Sequence, residues 1–165
     1  MDNYKELLVK KESGMKEKLL RVLCLVPTII LGLLTLLTGN IILFVITVAL
    51  GFLDYLVFQW TDIEYEYLYL DKEITVDKIM AKTRRKRQVA IDVNKIEIMA
   101  PVKSHQLDSY RNRNCKELDY SAGTELPEHK LFAIYYDGNQ KFVLNLTEDF
   151  AKMIKGMAPR KVFLD

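Results

Sequence analysis

The sequence predicts an α+β protein: a two-helix transmembrane hairpin, then an antiparallel β-sheet or barrel that ends in a C-terminal α-helix. Three observations carry this. From Val22 to Leu53 the chain holds 32 consecutive positions without a charge, a run that water-soluble domains rarely contain. Beyond Trp60 the apolar residues switch to alternation, the period of a strand. Near the C-terminus the pattern changes again, to an amphipathic helix opened by Thr147.

Residues 1–18, "MDNYKELLVKKESGMKEK", mix Leu7, Leu8 and Val9 with closely spaced charges. They are read as a cytoplasmic N-terminal segment, either a short interfacial helix broken near Ser13-Gly14 or a frayed tail, with the helix as the expectation.

Residues 19–59 form the hairpin. One span needs about 20 apolar residues. The uncharged run is therefore too long for one span, and with Leu19, Leu20 and the segment 55–58 added it suffices for two. Thr38-Gly39-Asn40 is the turn between spans at 19–37 and 41–59. A cleaved signal peptide fits poorly, because the apolar stretch starts after about 18 polar and charged residues and outruns the usual apolar region. Lys5, Lys10, Lys11, Lys16, Lys18 and Arg21 precede the first span, whereas the turn has no charge. The positive-inside rule then predicts a multi-pass protein of the cell membrane with both termini cytoplasmic. Tyr55 and Trp60 stand where the second span leaves the bilayer, the depth amphipathic rings prefer. Cys24 falls in a span and Cys115 in the soluble part, so both are expected as unpaired thiols, and no Cys/His spacing suits a metal.

Residues 60–165 are expected as one cytoplasmic domain. "DIEYEYLYL" (62–70) sets Ile63, Tyr65, Tyr67 and Tyr69 on one face of a strand, and Asp71-Lys72 turns it into "EITVDKIMAK" (73–82). The basic run follows as a turn, then come "QVAID" (88–92) and "KIEIMAPV" (95–102) as two short strands. Residues 103–129 have no sustained period and read as a long loop with at most one short element. "KLFAIYYDGNQKFVLNL" is a hairpin about Asp137-Gly138-Asn139. Thr147 caps a final helix in which Phe150, Met153 and Ile154 share a face, stopped by Gly156 and Pro159.

The segment "EYEYLYLDKEITVDKIMAKTRRKRQVAIDVNKIEIM" (64–99), with "FVLNLTEDFAKMI" (142–154) as last strand and helix, resembles the pleckstrin-homology-like (PH-like) fold, a curved sheet closed at one end by a C-terminal helix. After a membrane hairpin, the arrangement is similar to small bacterial membrane proteins, most of them uncharacterised, that carry a cytoplasmic PH-like domain. The resemblance covers about two-thirds of the chain and implies seven strands. Six are placed, so the seventh lies in 103–129 or is missing.

Two sets of residues are candidates for function. Lys82, Arg84, Arg85, Lys86 and Arg87 form the basic run, read as a solvated turn or as a contact for anionic lipid headgroups or an acidic membrane-protein partner. Nucleic acid is disfavoured: no aromatic residues interleave the run, and residues 61–165 hold 18 Lys/Arg against 17 Asp/Glu. Arg21 and Asp54, about 27 and 22 Å from the turn along their helices, are read as an intramembrane ion pair. The tyrosine stripe at 65, 67 and 69 is read as a sheet face packed on the C-terminal helix rather than as a ligand groove. No catalytic, metal or cofactor signature is present. The expectation is a non-enzymatic, membrane-anchored protein whose PH-like domain binds a protein or the membrane surface. The alternative is an accessory subunit of a transport or envelope complex, packed against other spans through Gly32, Gly39 and Gly51.

Overall fold

The computed structural model describes residues 4–165. In order they form β1 (Lys5–Lys10), α1 (Met15–Thr38), α2 (Ile41–Thr61), β2 (Ile63–Leu70), β3 (Glu73–Met80), β4 (Arg84–Asp92), β5 (Ile96–Pro101), a one-turn helix α3 (Asp108–Arg111), β6 (Lys116–Asp119), β7 (Lys130–Tyr136), β8 (Gln140–Leu146) and α4 (Glu148–Met157). Two compact units result. The first is Ser13–Ile63 with Met80–Arg84; the second is the chain up to Glu12, Glu64–Ile79 and Arg85–Asp165.

In the first unit, α1 and α2 have 24 and 21 residues, so they are about 36 and 32 Å long. Both are long and apolar enough to cross a membrane. Gly39 ends α1 in the left-handed conformation (φ 62°) and donates its N–H to the Thr35 carbonyl at 2.9 Å. Asn40 then opens α2, its Oδ1 accepting from the Ile42 N–H at 2.9 Å. The helices meet where Gly32 faces Thr47, and the hydroxyls of Thr35 and Thr47 lie 3.2 Å apart. Elsewhere large apolar side chains such as Leu23, Leu33, Ile41 and Phe52 stay exposed.

The second unit holds two four-stranded sheets, ordered β1-β2-β3-β4 and β5-β7-β8-β6. Its core gathers Tyr67, Tyr69, Ile74 and Ile91 from the first sheet, Phe132, Ile134, Phe142 and Leu144 from the second, and Phe150, Ala151 and Ile154 from α4. The tyrosine stripe is thus core. Tyr69 meets Phe150 edge-on at 6.3 Å, and Tyr65 meets Tyr120 at 5.7 Å. Thr147 caps α4 by accepting the Phe150 N–H. Paired left-handed residues form tight turns at Asp71-Lys72 and Asp137-Gly138, as the sequence suggested.

Four expectations are corrected. The N-terminal segment is a strand where it was expected to be a helix: β1 runs antiparallel to β2 with Val9 opposite Tyr65. Its alternation buries Val9 and exposes Leu8, and the free edge of β2 supplies hydrogen bonds that a short, weakly amphipathic helix cannot match. The basic run is not a turn. The turn is Ala81-Lys82, both left-handed (φ 48° and 56°), and Arg84–Arg87 open β4. The strands do not close into a barrel, and one pairing, β6 with β8, is parallel. Residues 103–129 hold a 3-10 turn, α3 and β6, so the seventh strand after the helices lies there. That segment is pinned from beneath by the fully buried Asn145, whose amide accepts from the Ala122 N–H at 2.7 Å and donates to the Thr124 carbonyl at 2.9 Å.

Candidate functional site

The five cations of the basic run do not act as one patch. On β4, side chains two residues apart share a face, and Arg85 and Arg87 both turn to Asp77 of β3. Arg85 Nε donates to Asp77 Oδ2 at 2.7 Å and also pairs with Glu66 of β2; Arg87 lies 3.6 Å from Asp77 Oδ1. The two carboxylates are buried and the two guanidinium groups cover them, so these arginines neutralise charge within the sheet. Lys82, Arg84 and Lys86 are exposed and make no ion pair among the described residues. The run therefore divides into an internal pair and three open cations.

The turn that carries Lys82 is fixed to the end of α2. The Ala81 N–H donates to the Asp62 carbonyl at 2.9 Å, and the Thr83 N–H closes the turn on the Met80 carbonyl at 3.1 Å. Beside it opens a cleft of about 510 Å³ lined by Arg21, Tyr55, Phe58, Gln59, Asp62, Ala81, Lys82 and Thr83. All eight belong to the helix-pair unit. Tyr55, Phe58, Gln59 and Asp62 recur at helical spacing, so they occupy one face of the last turns of α2.

Arg21 does not meet Asp54. Its Nε donates to Thr61 Oγ1 at 2.6 Å and its guanidinium lies over the Phe58 ring at 5.4 Å, while Asp54 sits seven residues before Thr61, about 10 Å along α2. The reason is the lean of helical side chains toward their own N-terminus. Arg21 on α1 leans away from the Gly39 turn, and Asp54 on α2 leans toward it, so the two diverge. Tyr55 was expected at the interface but not in a cleft, and Gln59 and Thr61 were not singled out from the sequence; the helical spacing of Tyr55 and Gln59 on α2 was the signal available.

The perturbed ionisations lie away from the cleft: at the surface the hydrogen bond between Glu148 and Lys152 lowers the carboxyl and raises the ammonium, and a hydrogen bond to Glu6 raises Tyr4. Burial pushes the Tyr67 hydroxyl well above the usual tyrosine range, and Tyr69 and Tyr120 are raised by burial as well. No cluster of His, Cys, Asp and Glu suited to a metal occurs among the described residues, and Cys24 and Cys115 are free thiols. Of the glycines expected to pack against further spans, Gly32 faces Thr47 within the pair, Gly39 forms the turn, and Gly51 has open space beside it.

A family model described as "Bacterial PH-like domain (DUF6106)" matches residues 1–164. No curated protein and no solved structure matches the chain.

Proposed function

Because the chain belongs to the bacterial PH-like domain family, we propose that it is a non-enzymatic binding module anchored in the cell membrane by α1 and α2, with both termini cytoplasmic. PH-like domains are generally non-catalytic and serve binding, which supports this reading. The observation that carries the proposal is the hydrogen bond from Ala81 to Asp62. It ties the β3–β4 turn to the end of α2, so a hairpin spanning about 30 Å of hydrocarbon presents Lys82 and Arg84 at the level of the headgroups. Each cation near an anionic surface contributes about 1 kcal/mol. Pairing of β1 with β2 supports the topology independently of charge counting, since the segments before α1 and after α2 must lie on one side of the bilayer to form a ladder.

The test uses the full chain in vesicles, because a fragment starting at residue 61 lacks β1. A polarity-sensitive dye is placed on Thr83→Cys in a Cys24→Ser, Cys115→Ser background. Its emission shifts to the blue in phosphatidylglycerol vesicles relative to phosphatidylcholine, and the shift is lost in Arg84→Gln/Lys86→Gln. Identical spectra in the two lipids overturn surface binding. Cross-linking in native membranes that recovers a fixed multi-span partner makes the protein an accessory subunit instead, with the open side of Gly51 as the place to look for contact.

A further inference from the structure

We propose that the cleft beside Arg21 and Lys82 is a binding site for the phosphodiester of a phospholipid headgroup. The argument starts at Arg21. Its Nε is committed to Thr61 and its plane is set by Phe58, yet its Nη2 is buried and has no hydrogen-bond partner. A desolvated guanidinium nitrogen without an acceptor is costly, and the planar fork of arginine suits an oxyanion that takes two parallel N–H bonds. Arg21 lines the cleft, whose lining holds two further donors. Lys82 stands on a turn held to the α2 end by the Ala81 to Asp62 hydrogen bond. The Tyr55 oxygen accepts from Gln59 Nε2, which leaves its own O–H to donate outward.

Charge selects the ligand. Arg21 and Lys82 against Asp62 leave the lining with one net positive charge, which matches the single negative charge of a phosphodiester better than the higher charge of inorganic phosphate near neutral pH. A volume of about 510 Å³ lies in the range of ligand-binding clefts and leaves room beside the phosphate for its glycerol substituents. The lipid source rests on the membrane-spanning reading of α1 and α2; the phosphate chemistry does not.

The experiment is native mass spectrometry of the full chain, solubilised from membranes and re-equilibrated with phosphatidylglycerol, alongside calorimetric titration of delipidated protein with inorganic phosphate. Wild type retains phosphatidylglycerol, and Arg21→Gln and Lys82→Gln each lower retention about tenfold, the effect of losing one charge-assisted hydrogen bond. Lys82 is exposed on a turn, so its variant keeps the test decisive if Arg21→Gln fails to fold. Lys155→Gln on α4 controls for lost charge and retains lipid like wild type. Unchanged retention in both cleft variants overturns the site. Tight binding of inorganic phosphate that depends on Arg21 and Lys82, without retained lipid, overturns the headgroup as ligand. The dye response at residue 83 depends on Arg84 and Lys86, so surface contact and the cleft can fail separately.

Discussion

Tyr67 joins three parts of the second unit through one oxygen: its hydroxyl donates to the Tyr120 carbonyl at 2.6 Å and accepts the Asn145 N–H at 3.4 Å, fully buried. Tyr67→Phe leaves both backbone groups without a partner and is expected to cost about 1–3 kcal/mol in denaturant unfolding. The same burial favours the neutral phenol, so its pKa is raised in the folded state. That contribution is complete below the unfolded tyrosine value of about 10 and is lost as pH rises through the folded one. Wild type therefore loses stability above about pH 10, and Tyr67→Phe shows a shallower decline. Arg85 offers a second contrast. Removing it by Arg85→Gln strips the cation from the buried Glu66 and leaves Asp77 with Arg87 alone, and is expected to cost about 1–3 kcal/mol, between a surface and a buried pair because Arg85 is itself exposed. Arg84→Gln, next to it in sequence, stays within about 0.5 kcal/mol. Thermal melts of the two variants side by side separate charge used within the sheet from charge left open.

Among the elements, those with a strong local signal were legible. The two long apolar helices, the turn at 38–40, the strands from 62 to 80, the 137–139 hairpin and the Thr147-capped helix follow from period, caps and turn residues acting over a few positions. What was not legible depended on partners distant in sequence. "KELLVK" has the alternation of a strand but is too short to declare it, and β2, which completes it, comes after both helices. The Ala81-Lys82 turn lacks the Gly or Asn that ordinarily marks left-handed residues, so the basic run was mistaken for the turn. The shared cleft of Arg21 and Lys82 needs the Ala81 to Asp62 hydrogen bond, which no local pattern encodes. The strand reading of the N-terminus predicts alternating sensitivity: Val9→Ala, at a buried position, costs about 2 kcal/mol, and Leu8→Ala, at an exposed one, stays within about 0.5 kcal/mol. A helix lying on the membrane would make both positions matter for lipid contact and neither for unfolding.

For the whole molecule, the membrane reading places Trp60, the sole tryptophan and an exposed one, at the end of α2. In vesicles its fluorescence is expected to be quenched more by lipids brominated near the headgroup than by lipids brominated near the chain ends, as an interfacial ring requires. Stronger quenching from the chain ends would shift the helix pair along the bilayer normal and take Lys82 away from the headgroups. The family assignment spans residues 1–164, so it takes in the N-terminal strand and both helices along with the sheets.

The interruption of a strand pair by both helices also orders events in time. β1 leaves the ribosome first, yet the strand it completes is not made until α1 and α2 have been synthesised. The first sheet therefore cannot assemble before both helices have been made, and Val9 and its neighbours wait unpartnered until then. On the membrane reading, insertion of one helix without the other would leave β1 and β2 on opposite sides of the bilayer, so a complete first sheet requires that the two helices cross together or not at all.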